Sequence, residues 1–191
     1  MGKVVLVTGG ARSGKSRFAE QYAARFGKRV AYIATAGVYD EEMAFRVKLH
    51  RERRPKEWHT WEAPENAHLS IEEAGKEHDM ILFDCLTLYI SNLFCALENI
   101  DDSAANYALI RDKVGLLLEA AKKQTGTTLF VTNEVGAGIV PDNHLAREYR
   151  DITGIANQRM AREADEVYVV SCGIAVDFKK LAVPWQVDGS A

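Results

Sequence analysis

KVVLVTGGARSGKSRFAEQYAARF, residues 3–26, holds the segment on which the fold turns. Val4, Val5, Leu6 and Val7 form an apolar, mostly β-branched run, the composition of a strand buried on both faces. Gly9, Gly14, Lys15 and Ser16 then fill the pattern G-x-x-x-x-G-K-S, and apolar residues at helical spacing follow. Strand, glycine loop and helix in that order are the context a phosphate-binding loop requires. The glycines let successive backbone N–H groups point into one concavity, and the helix N-terminus adds positive potential. Gly9, Gly10, Ala11, Arg12, Ser13 and Gly14 are therefore expected to wrap a nucleoside triphosphate. Lys15 is expected to reach its β- and γ-phosphates, and the Ser16 hydroxyl to ligate Mg²⁺.

Outward from this loop, the 191 residues suit one domain, drawn here as 1–180 with a tail at 181–191 that loses periodicity. The composition, 47% hydrophobic and 27% charged, is that of a globular protein, and the net charge of −3 exerts no global pull on nucleic acid or anionic membrane. Cys85, Cys95 and Cys172 form no C-x-x-C pair, so reduced, semi-buried thiols are expected. The first strand begins within three residues, leaving no room for a signal peptide, and no apolar run reaches the length of a membrane span. A cytoplasmic protein with neither nucleic-acid nor membrane partner is expected.

Further strands are predicted at 29–35, 79–84, 127–132 and 166–171, with a weaker edge strand at 57–62. Helices are predicted at 15–26, 40–53, 66–76, 85–98, 103–124 and 142–164. This alternation predicts an α/β fold, a mostly parallel sheet with helices on both faces. By analogy with nucleotide-binding sheets, its architecture is that of a recombinase-like phosphate-loop NTPase. In such sheets ligands lie beyond the carboxyl ends of the strands.

Three segments follow strands there. Asp84 closes MILFD, either as a Mg²⁺ partner of the phosphate loop or as N-cap of the next helix. Residues 132–143, TNEVGAGIVPDN, form a shaped loop in which Glu134 orients a nucleophile, binds metal or is a solvated turn residue. The third segment opens with Asp40, Glu41 and Glu42, suited to a first helical turn, and then becomes basic. Arg46, His50 and Arg53/Arg54 share one face at helical spacing. Surrounding positive charge favours the neutral, nucleophilic imidazole of His50, and arginines suit a triphosphate. A solvated basic face or a weak RNA contact is the plainer alternative.

The chain resembles the bifunctional adenosylcobinamide kinase/adenosylcobinamide-phosphate guanylyltransferase family of cobalamin biosynthesis. The resemblance rests on VTGGARSGKSRFAE, RVKLHRERRPKEW, FDCLTLYISNLF and VTNEVGAGIVPDNHLAREYRDITGIANQRMAREADEV, in that order, and covers roughly residues 4 to 175. It implies phosphorylation of the aminopropanol hydroxyl of adenosylcobinamide, then transfer of GMP from GTP to the resulting phosphate. It also implies a guanylyl-histidine intermediate, for which His50 is the matching residue, and a homotrimer. ATP and GTP are both implied as substrates, with Mg²⁺. With one phosphate loop serving both transfers, Lys15 and Ser16 neutralise phosphoryl charge, and Arg46 and Arg54 are expected to hold leaving pyrophosphate or incoming phosphate. Glu62, at the end of the edge strand, suits guanine through its N1–H and amino group. Rival readings are a small-molecule kinase without a covalent step, and a nucleotide-dependent RNA-binding module.

Overall fold

The computed structural model describes residues 1–37, 51–52, 54–97, 99 and 102–183. Its elements run β1 (Lys3–Thr8), α1 (Lys15–Phe26), β2 (Val30–Ala34), β3 (His59–Glu62), α2 (Ala67–Ala74), β4 (Met80–Asp84) and α3 (Leu86–Cys95). They continue with α4 (Ser103–Lys123), β5 (Thr127–Val131), α5 (His144–Glu163), β6 (Glu166–Ser171), β7 (Ile174–Asp177) and α6 (Phe178–Leu181). Asp102 and Asn143 cap α4 and α5 by accepting from the N–H groups of Ala105 and Ala146.

Among the described residues the strands form one sheet in the order β3-β2-β4-β5-β1-β6-β7. Every pairing is parallel except β6 with β7. The apolar strands feed two cores because successive side chains point to opposite faces. Val4, Leu6, Ile33, Phe83 and Phe130 pack with Ile71 of α2, Ile90 of α3, Leu117 of α4 and Met160 of α5. Val5, Val7, Tyr32, Leu82 and Leu129 pack on the other side with Ala19, Tyr22 and Ala23 of α1. The two coats are unequal, with four described helices on one face and α1 on the other.

Strand β3 is an edge strand, as its alternating sequence predicts. The antiparallel β7 and the short α6 were not predicted. Cys85 is buried, but Cys95 and Cys172 are exposed rather than semi-buried. The predicted helix at 40–53 lies largely outside the described residues, and with it Asp40, Glu41, Glu42, Arg46, His50 and Arg53. Residues 184–191 of the expected tail lie outside them too.

Register aligns the functional end of the sheet. Glu62, Ala34, Asp84, Val131 and Val7 are level across β3, β2, β4, β5 and β1. At about 4.8 Å per strand, Asp84 stands ~10 Å from β1 and Glu62 ~19 Å from it.

Candidate active site

The loop between β1 and α1 is held on both sides by neighbouring strand ends. Glu134 N–H, just past β5, donates to Gly9 O at 3.1 Å, and Gly173 N–H, in the β6–β7 turn, donates to Ser13 O at 2.8 Å. A Cβ on Gly9 would lie 2.4 Å from Val170 O, so the strand packing itself demands glycine there. Gly14 has φ +98°, the left-handed conformation that turns the chain into α1. The loop is thus a rigid backbone cradle opening on the N-terminus of α1.

Lys15 is 9% exposed, and its ammonium donates to Gly10 O at 3.1 Å. Burial lowers its pKa, and the neighbouring Cys85 and Asp84 oppose that shift. A buried cation held, among the described residues, by one loop carbonyl is well placed to exchange that partner for a phosphate. Ser16 follows it in the first turn of α1. Thr8 Oγ1 and Ser13 Oγ are buried without a hydrogen-bond partner among the described residues, as is common where a ligand or water completes the site.

Asp84 ends β4, two strands from the loop, because β5 intervenes. Its carboxylate accepts from the Tyr32 hydroxyl at 2.5 Å. Asp84 is not the N-cap of α3; Cys85 occupies that position, and no side chain caps it. The turn is fixed instead by Thr35, whose hydroxyl accepts from Cys85 N–H and donates to Cys85 O, each at 2.8 Å. Asn92 braces Thr35 by donating to its carbonyl at 2.7 Å. Burial pushes the Cys85 thiol up to about 11, with Asp84 adding to the shift, so it is a neutral packing group at pH 7.

Glu134 is exposed, and its Oε1 accepts from Gly136 N–H at 2.9 Å. The strand end before it is anchored by Asn157 of α5, which accepts from Thr132 Oγ1 at 2.7 Å and donates to Asn133 O at 3.0 Å. Arg54 stacks its guanidinium 3.4 Å from the centre of the Tyr32 ring. Glu62 forms an ion pair with Arg51, both side chains being more than half exposed. Tyr32 and Thr35 carried no signal in the sequence, since each reads there as an ordinary strand residue, whereas Asn157 lies in the C-terminal segment that carries the family resemblance, with no role assigned to it there. The β6–β7 turn did carry one, in Gly173 followed by the alternating Ile174-Ala175-Val176.

The structure therefore brings the loop from Gly9 to Ser16, Asp84 and Glu134 to one end of the sheet. Arg54 reaches it through Tyr32, and Glu62 marks the far edge. The donors near the loop, a serine hydroxyl and a carboxylate, are the hard oxygens that suit Mg²⁺. Among the described residues no three His, Cys, Asp or Glu side chains form a metal cage. Nucleotide-bound Mg²⁺ needs none, being held by one or two protein oxygens with phosphates and water.

This fold and loop define a phosphate-loop nucleotide-binding enzyme. A type III secretion system ATPase of solved structure shares the fold, with a TM-score of 0.53 at 11% identity, covering 98% of this chain and 60% of that one. The family described as cobinamide kinase / cobinamide phosphate guanyltransferase matches residues 5–178, and the chain belongs to it. The "Bifunctional adenosylcobalamin biosynthesis protein CobU" of Salmonella typhimurium is 43% identical over 92% of this chain and 99% of its own. The protein of the same name from Escherichia coli is 39% identical over 92% of this chain and 99% of its own. The chain is accordingly a kinase and nucleotidyltransferase.

Proposed function

We propose that one site performs two successive transfers in cobalamin biosynthesis: phosphorylation of the aminopropanol hydroxyl of adenosylcobinamide, then guanylylation of that phosphate to adenosylcobinamide-GDP. The observation that carries the reading is the carboxyl end of the sheet, where the phosphate loop, Asp84 and the end of β5 share one line with Glu62. In the first transfer the loop N–H groups and Lys15 hold the donor triphosphate of ATP or GTP. The substrate hydroxyl attacks the γ-phosphorus and gives up its proton to water, and the bond to the nucleoside diphosphate breaks with its electron pair leaving on the diphosphate. Glu134 orients that hydroxyl. When bound by Ser16 and Asp84, Mg²⁺ supplies charge neutralisation on the phosphates.

In the second transfer the His50 imidazole attacks the α-phosphorus of GTP, and the bond to pyrophosphate breaks with its electron pair leaving on pyrophosphate. An oxygen of the substrate phosphate then attacks the phosphoramidate, and the P–N bond returns its pair to the imidazole. Arg46 and Arg54 hold the leaving pyrophosphate or the incoming phosphate. Glu62 accepts from guanine N1–H and the amino group, displacing Arg51. An ion pair this exposed is worth about 0–1 kcal/mol, so a base can replace it.

The same reading places the catalytic domain at 1–180, assembles the chain as a homotrimer in the cytoplasm, and assigns no nucleic-acid partner. No described helix is long and apolar enough to cross a membrane. GTP labelled at the α- or γ-phosphate, followed by denaturation, tests the covalent step. Retention of α-label alone, stable to alkali, labile to acid and lost in His50→Ala, is expected. Absence of both labels from a protein that still binds GTP would leave a kinase without a covalent step.

A further inference from the structure

Tyr32 lies in the middle of β2, is 1% exposed, and has no part in the two transfers as described. It nonetheless touches two charged groups of the site on the same face of the sheet. Its hydroxyl donates to Asp84 Oδ2 at 2.5 Å. Its ring lies under the Arg54 guanidinium at 3.4 Å. We propose that Tyr32 is a positioning residue for both transfers, a single ring that sets the plane of the Asp84 carboxylate and the seat of the Arg54 guanidinium. This rests on the reading of Asp84 as a Mg²⁺ ligand and of Arg54 as a phosphate contact.

The terminal torsion of an aspartate is broad, so a carboxylate at a strand end needs a partner to hold its plane. A phenol on a neighbouring, register-matched strand is a stiff one, because its ring is locked in the core. Burial, then the adjacent Asp84 charge, raises the Tyr32 pKa well above its usual value, although Arg54 opposes this; the hydroxyl remains a donor at any working pH. Ligand-orienting partners of this kind typically change metal affinity by about 10–100-fold when removed.

Arg54 is held by the opposite part of the ring. Cation–π contact engages the flat face of a guanidinium and leaves its in-plane N–H fork for an anion. Nε and Nη1 of Arg54 are buried and have no hydrogen-bond partner among the described residues. The stack therefore holds two unsatisfied N–H donors, on Nε and Nη1, in a fixed plane four residues beyond His50 in the chain. Because one ring serves both groups, a shift of Asp84 and a shift of Arg54 are coupled through it.

The test is the binding of a non-hydrolysable GTP analogue, titrated against Mg²⁺, in wild type, Tyr32→Phe, Tyr32→Leu and Asp84→Asn. Tyr32→Phe keeps the ring and deletes only the hydroxyl. It is expected to need about tenfold more Mg²⁺ for half-maximal binding, with affinity in EDTA unchanged to within about twofold. Tyr32→Leu is expected to lose affinity in EDTA as well, since the Arg54 seat is gone. Should it fail to fold, the phenylalanine variant carries the test alone. A wild-type Mg²⁺ curve for Tyr32→Phe beside a shifted curve for Asp84→Asn overturns the inference while sparing the reading of Asp84. An unshifted Asp84→Asn overturns that reading, and the inference with it.

Discussion

Replacing Gly9 by alanine tests whether the phosphate loop is shaped by its packing against β6. The added Cβ would sit 2.4 Å from Val170 O and 2.6 Å from Ser13 Oγ. The hydroxyl can rotate away, but the carbonyl is strand backbone, and β6 is tied to β1 from Val5–Glu166 to Thr8–Val169. Ordinary contact requires about 1 Å of relative movement, within the range where overpacking costs ~1–3 kcal/mol. The entropy alanine removes from the unfolded chain offsets ~0.4–1 kcal/mol of that. The expected loss is therefore about 1–2 kcal/mol, or a Tm lower by ~2–8 °C for a chain of this size. The control is Gly10→Ala, where nothing lies within 4 Å of the new methyl and stability should hold to within about 0.5 kcal/mol. Thermal unfolding of both variants without nucleotide reads the difference. A second readout is kcat/KM of the kinase step, which a loop displaced by ~1 Å should lower by ~100-fold in Gly9→Ala. Equal Tm values for the two variants would refute the claim that β6 packing dictates this glycine.

Gly173, at φ +80°, has open space around it, so Gly173→Ala is expected to cost only the ~1–2 kcal/mol of a left-handed residue. Gly173→Asn should recover much of it, and denaturant titration of the pair shows whether backbone conformation alone is at issue. At the opposite end of the sheet, Lys3 and Tyr22 both donate to Glu166. Burial raises the Glu166 pKa, but these bonds outweigh it and leave the net value below 4.5. With the folded pKa depressed, the stabilisation is complete above the unfolded value and is lost as pH falls through the folded one. Both side chains are partly exposed, so the contribution is ~0.5–1 kcal/mol. Glu166→Gln should flatten the stability curve below about pH 4.5 by that amount, measured by urea unfolding across pH; an unchanged acid limb would rule the pair out as its cause.

Much of the fold was legible because its determinants are local. The buried run Val4–Val7, the loop glycines and the helical spacing after Lys15 specify strand, turn and helix through backbone sterics and side-chain period alone. The same holds for MILFD and its terminal Asp84, and for the edge strand, whose polar alternation marks a half-exposed position. The hairpin formed by β6 and β7 was missed because four-residue strands and a single positive-φ glycine are weak signals. The alternative reading of Asp84 as the cap of the following helix failed for a different reason. Aspartate is a favoured cap locally, but a phenol 52 positions earlier offers its carboxylate a buried donor.

Sequence by itself thus determined the phosphate loop, the alternation of strands and helices, and the identity of the groups that carry charge. Local rules suffice for each of these. Only the tertiary structure decided the strand order, and with it the insertion of β5 between the loop and Asp84. It alone decided that Gly173 closes on Ser13, that Asn157 anchors the end of β5, and that Tyr32 joins Asp84 to Arg54. These contacts link residues 22 to 160 positions apart. No local period encodes such pairings; they exist only once the sheet has set which strand ends lie side by side.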